Sequence, residues 1–221
     1  MTTADPTEHH PPKEIPVDDP RPTLLRAADQ IAGLVGPDLP LAAPTPCADW
    51  SVEDLLAHLV TVHRRVAHVG RGGHPLDLPH QLPQADAAAY VAALADGRRE
   101  VAEVWGPDAD PALLDRDVTV PWGVVPGRAA GWGYVRELAV HGWDLASALG
   151  TDDTLDPALA DAVVDHVRAA LPAEPRGGPI PFGPVVEVPD DAGPYDRLVA
   201  WLGRDPSWAP ARRPSGQTGR V

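Results

Sequence analysis

Along four long stretches of this chain, apolar residues recur every three or four positions. A chain patterned that way must bury several helix faces against one another. The first stretch predicts a helix over 22–35, with Leu24, Leu25, Ala28, Ile31 and Val35 as its stripe. The second begins at Ser51, where Asp54 three residues on makes a capping box, and Gly70 is its stop. Leu55, Leu59, Val62 and Val66 line its buried face. The third covers about 84–105 through Tyr90, Val91, Leu94, Val101 and Val104. The fourth runs over about 129–149 through Val135, Leu138, Leu145 and Leu149. An all-α four-helix bundle is the economical way to bury four such faces.

The rest of the chain departs from that rhythm. In "VTVPWGVVPG", residues 118–127, β-branched residues flank Trp122-Gly123, which predicts a short β-hairpin excursion. A further helix is expected over roughly 157–170. "VVEV" at 185–188 reads as a strand, and "PYDRLVAWLG" as a short final helix. These divide the chain into a helical bundle over 21–171 and a small C-terminal α/β extension over 172–208. Polar, Pro-rich tails at 1–20 and 209–221 are expected to be disordered.

Charge narrows the partners. A formal net charge of −14 and a pI near 4.8 argue against nucleic acid or anionic lipid bound through a broad basic surface. No run of apolar residues is long enough to span a membrane. The N-terminus lacks the pattern of a signal peptide. The single cysteine, Cys47, rules out an intramolecular disulfide and fits a reducing compartment, so a cytoplasmic location is expected.

Chemistry concentrates in "YVRELAVHGWDLASALG", residues 134–150, where Glu137 and His141 stand one helical turn apart beside the buried stripe. His58, between Leu55 and Val62 on the second helix, points towards the bundle. Two donors from one helix and one from another define a face of a tetrahedron. The remaining position is then open to water or substrate, as in catalytic zinc sites. The same spacing also arises when Glu and His simply pair, and a lone histidine on an apolar face is commonly a hydrogen-bonded core residue. Asp144, one turn beyond His141, is the candidate for orienting a ligand or acting as a base, with solvation on the helix surface as the plainer alternative. Trp122, Tyr134 and Trp143, with Trp132, are candidates for walling a substrate site. His63 and His68 fall off the apolar line and are expected to face solvent. His74 and His80 lie in a loop, and His166 has no evident partner. Cys47 reads as a quiet structural thiol.

"TPCADWSVEDLLAHLV", "VRELAVHGWDLASALG" and "LVAWLGRDPSW" resemble the DinB-like superfamily. The nearer likeness is to its actinobacterial branch containing mycothiol-dependent maleylpyruvate isomerase. The resemblance spans roughly 22–208. It implies a four-helix bundle holding a divalent metal, often zinc, by a His on the second helix and a Glu and His on the fourth. His58 matches through "DLLAHLV", and Glu137 and His141 match through "ELAVHGWDL". It also implies mycothiol or a related low-molecular-weight thiol as cosubstrate, for isomerisation or S-transfer on a small electrophile. Metal coordination deprotonates a thiol, and the thiolate can add to an activated double bond. Cationic groups for a dicarboxylate would then come from among Arg64, Arg65, Arg128 and Arg136. Two other readings stay open: metal-assisted hydrolysis, and a noncatalytic metal-stabilised bundle that holds a small ligand or protein. The assembly is expected to be a monomer or homodimer.

Overall fold

The computed structural model describes residues 19–177 and 182–210. The expectations for 1–18 and 211–221 lie outside the described residues. Among the described residues six α-helices and one hairpin follow in order: α1 (Arg21–Leu34), α2 (Val52–Gly70), α3 (Ala87–Trp105), β1 (Asp117–Val120), β2 (Gly123–Pro126), α4 (Gly127–Leu149), α5 (Pro157–Ala170) and α6 (Pro194–Trp201). The fold is the mostly helical bundle with a short hairpin that the periodicity predicts.

Local chemistry sets the boundaries. The Ser51–Asp54 capping box is formed: Asp54 N donates to Ser51 Oγ (3.2 Å) and Ser51 N donates to Asp54 Oδ2 (3.0 Å). α3 starts three residues later than its apolar pattern suggests, because Asp86 caps it by accepting from Ala89 N at 2.8 Å. Pro157 opens α5 behind an Asp156 cap.

α1 to α4 close a ring, in which α1 packs on α3 and α4 while α2 packs on the same two. Leu24, Ile31, Leu55, Leu59, Leu94, Val101, Leu138 and Leu145 fill the centre with no solvent exposure. β1 and β2 pair antiparallel, with Val120 opposite Gly123 across the Pro121-Trp122 turn. α5 packs on α4 and α6.

Two expectations fail here. His63 is fully buried rather than solvent-facing. α3 approaches so closely that a Cβ on Gly97 would lie 2.7 Å from that of His63, so the flank of α2 that reads as polar is covered. Val185 to Val188 form no strand. Val186 N donates to the carbonyl of Ala200 at the end of α6 (2.9 Å), so this segment satisfies itself on a helix end instead of a sheet.

Candidate metal centre

His58 projects from α2 and Glu137 and His141 from the adjacent α4, and the three meet. One donor atom from each lies within 4.8 Å of the others. Glu137 Oε1 is 3.1 Å from His58 Nε2 and 3.6 Å from His141 Nε2. Ligands of a tetrahedral zinc ion, with bonds of about 2.1 Å, stand about 3.4 Å apart.

The far side of each imidazole is occupied, which fixes its tautomer. His58 Nδ1 donates to the carbonyl of His80 (3.2 Å), and His141 Nδ1 donates to Asp144 Oδ2 (2.8 Å). Each ring therefore presents Nε2 to the shared point, the orientation given to metal-ligating histidines by their outer partners. These donors fit a divalent first-row ion.

Those outer partners have their own supports. The 71–86 link is drawn along α2 by Arg65. Its Nε donates to the carbonyl of Pro75 (3.1 Å) and its Nη2 to that of Pro79 (2.9 Å), bringing the His80 carbonyl to His58. Asp144 is sealed from solvent and receives Arg204 Nη2 (3.2 Å) and Cys47 Sγ (3.0 Å). A turn in which Thr45 Oγ1 donates to the carbonyls of Cys47 and Trp50 holds both near the centre. The Trp50 ring lies 5.1 Å from that of His58 and 6.1 Å from that of His141.

Electrostatics follow the contacts. Burial alone would raise the Glu137 pKa, but hydrogen bonds from His141 and His58 hold it well below the usual carboxylate range. Burial opposes charge on His141, yet Asp144, Cys47 and Glu137 lift it well above an ordinary imidazole. Asp144 stays ionised: burial opposes this, but His141 and Arg204 depress its pKa.

The centre opens on a cavity of about 900 Å³. His58, His80 and Glu137 are on its wall, with Trp122, Trp132, Tyr134 and Phe182 as aromatic lining. Tyr134 is 2% exposed, and its hydroxyl has no hydrogen-bond partner among the described residues. Burial pushes that phenol up, so it serves as a donor. Trp122 stands on the cavity edge, its ring 5.5 Å from that of Tyr134. Trp143, read as a substrate contact, is instead packed in the core and does not line the cavity. Asp144 does not line it either. The surface solvation that seemed plainest for it is contradicted by its complete burial, and it lies behind His141, where it touches no substrate space.

Sequence reading missed Trp50, His80 and Arg204. Trp50 directly precedes the Ser51 cap, and Arg204 lies within "GRDPSW", but nothing in either pattern specifies a distant partner. Cys47 is not isolated, since its sulfur also lies 3.7 Å from His141 Nδ1. Cys47, His141 and Asp144 form a second close donor group, but the guanidinium on Asp144 disfavours a cation there. His166 stacks on Trp132, with ring centroids 3.5 Å apart. His68 pairs with Asp77 at 2.8 Å.

Fold and donors together define a helical bundle with a candidate divalent-metal centre at the wall of a cavity. A family model described as "Mycothiol maleylpyruvate isomerase N-terminal domain" matches residues 24–146, and the chain belongs to that family, within the DinB-like superfamily. It is also similar to two Mycobacterium tuberculosis proteins, "Uncharacterized protein MT0763" of strain CDC 1551 / Oshkosh and "Uncharacterized protein Rv0738" of strain ATCC 25618 / H37Rv. Each is 34% identical over 190 residues, covering 84% of this chain and 98% of the relative. No solved structure gives a significant match. No described helix is long and apolar enough to cross a membrane.

Proposed function

We propose that this protein is a divalent-metal-dependent enzyme that uses a low-molecular-weight thiol, mycothiol or a relative, for isomerisation or S-transfer on a small electrophile. The observation that carries the reading is the convergence of His58 Nε2, Glu137 Oε1 and His141 Nε2 on one point beside a cavity of ligand size. Membership of a family named for a mycothiol-dependent isomerase supports a thiol as cosubstrate.

His58, Glu137 and His141 would hold the ion, with zinc favoured by the donor set. A bound divalent ion supplies Lewis acidity, which lowers the pKa of a thiol or water that reaches it. The chain's own groups do the rest. The His80 carbonyl and Asp144 keep both imidazoles in the Nδ1–H tautomer, so neither ring turns away. Glu137 remains ionised at neutral pH. The aromatic wall lines the space beside the donors, and the unpartnered Tyr134 hydroxyl would donate to an oxygen of the substrate. The thiolate would add to an activated double bond, permit rotation and leave, or displace a leaving group. Asp144 acts by positioning His141.

The test combines metal analysis with turnover. Purified wild type should carry stoichiometric metal, with His58→Ala and Glu137→Ala strongly depleted. Consumption of a small electrophile such as a chloroarene should require added mycothiol. Full occupancy in both variants would reject the ligand assignment. Turnover without thiol would replace this reading with metal-assisted hydrolysis.

A further inference from the structure

The cavity wall carries more positive charge than this chain's composition prepares one to find. Against a formal net charge of −14, Arg65, Arg128 and Arg136 face the cavity beside only two carboxylates, Asp115 and Glu137. The three guanidiniums are engaged very differently. Arg65 gives its donors to the carbonyls of Pro75 and Pro79. Arg128 pairs with Asp115 at 3.4 Å. Arg136 has neither a carboxylate nor a carbonyl among the described residues, and its buried Nε has no hydrogen-bond partner. Its guanidinium instead lies 5.6 Å from the Trp122 ring centroid and 5.5 Å from that of Phe182.

A guanidinium held against two rings keeps its N–H edge free, and that edge matches a carboxylate in bidentate geometry. Leaving the buried Nε unpaired is costly unless a ligand completes it. We propose that Arg136 is the anion subsite of this cavity, and that the electrophile carries a single carboxylate on a flat, apolar body. The single charge follows from Arg136 being the cavity guanidinium without a carboxylate or carbonyl partner among the described residues, since Arg65 donates to loop carbonyls and Arg128 pairs with Asp115. The flat body follows from Trp122, Trp132, Tyr134 and Phe182 around it. A dicarboxylate would find no second guanidinium on this wall that lacks a carboxylate or carbonyl partner among the described residues. The inference rests on the enzymatic reading only in taking the cavity as the substrate site.

Calorimetry on the zinc-loaded full chain tests this with benzoate, its neutral isostere benzamide, and phthalate. Benzoate should bind at least about tenfold more tightly than benzamide, the scale of a charge-assisted hydrogen bond. Phthalate should bind no more tightly than benzoate. Arg136→Met keeps the alkyl stem against the rings and should bring benzoate down to the benzamide level. Arg136→Lys should retain part of the preference. In wild type, NOEs from benzoate to the Trp122 and Phe182 rings are expected, and this readout needs no variant to fold. The subsite is overturned by undetectable millimolar binding, by absent NOEs, by a tenfold preference for phthalate, or by a benzoate preference that survives in Arg136→Met. None of these measurements involves turnover. Benzoate selectivity without thiol-dependent chemistry would uphold the subsite and remove the enzymatic reading, whereas thiol-dependent turnover without selectivity would do the reverse.

Discussion

Replacing Asp144 separates two jobs that its carboxylate performs at once. The side chain is fully buried, accepts from His141 Nδ1 at 2.8 Å and neutralises Arg204 at 3.2 Å. Asp144→Asn keeps the shape and an acceptor for Nδ1 but strands the guanidinium. Removing one partner of a buried pair costs about 3–5 kcal/mol. Because the Arg204 side chain is 17% exposed, the lower end, about 3 kcal/mol, applies. Loss of an outer partner of a metal-ligating histidine costs about 10–100-fold in metal affinity. The asparagine, which still accepts from Nδ1, should lie near the small end and Asp144→Ala near the large end. Arg204→Met should lower stability but leave zinc affinity within a few-fold of wild type, since the 2.8 Å contact remains. Urea denaturation reads the first quantity, and zinc competition against a chromophoric chelator reads the second. Wild-type zinc affinity in Asp144→Ala would refute the claim that this carboxylate orients His141 for an ion.

Three further outcomes follow from the packing. Burial depresses the His63 pKa below 6.5, so the folded state holds this ring neutral while the unfolded chain takes up a proton as pH falls below 6.5. Stability should therefore drop below that pH by up to about 1.4 kcal/mol per unit, until the folded pKa is reached. Between pH 7.5 and 5.5, His63→Leu should lose up to about 1.4 kcal/mol less stability than wild type in denaturation, because the full slope is reached only below pH 6.5. Gly97→Ala sets a methyl 2.7 Å from His63 Cβ and should cost about 1–3 kcal/mol by forcing α3 off α2, measured by thermal denaturation. Ser51→Ala removes the capping box at α2 and should cost about 1 kcal/mol in the same assay.

Helix existence was legible because each amphipathic stripe is a local pattern, and the caps at Ser51 and the stop at Gly70 are local chemistry. The meeting of His58 with Glu137 and His141 was legible only as a possibility from spacing, and as an expectation from family likeness, because nothing local states which helices neighbour. The misreading of His63 has the same origin. A helix enclosed by α3, α4 and the 71–86 link has almost no solvated face, so distance from the apolar line stops reporting exposure. Asp144 was misjudged for the same reason. A carboxylate beside a buried stripe reads as surface until the Arg204 that neutralises it, 60 residues away, is brought alongside.

That last contact bears on where the chemistry and its selectivity reside. The family-matched segment, 24–146, contains all three convergent donors and Arg136, together with Asp144 behind His141. Arg204 holds Asp144 and Phe182 backs Arg136, and both come from beyond that segment. The C-terminal portion thus reaches the centre from two directions, one fixing a histidine and one walling the cavity. Changes at Phe182 should shift which electrophile fits without altering metal affinity, because its ring touches Arg136 and none of the donors. Changes at Arg204 act through Asp144 and should leave ligand selectivity alone. Phe182→Ala should therefore change benzoate binding with zinc affinity kept, whereas Arg204→Met should lower stability and leave both zinc affinity and benzoate binding within a few-fold of wild type. Parallel losses in both quantities would mean that the extension acts on the site as one body rather than through these two contacts.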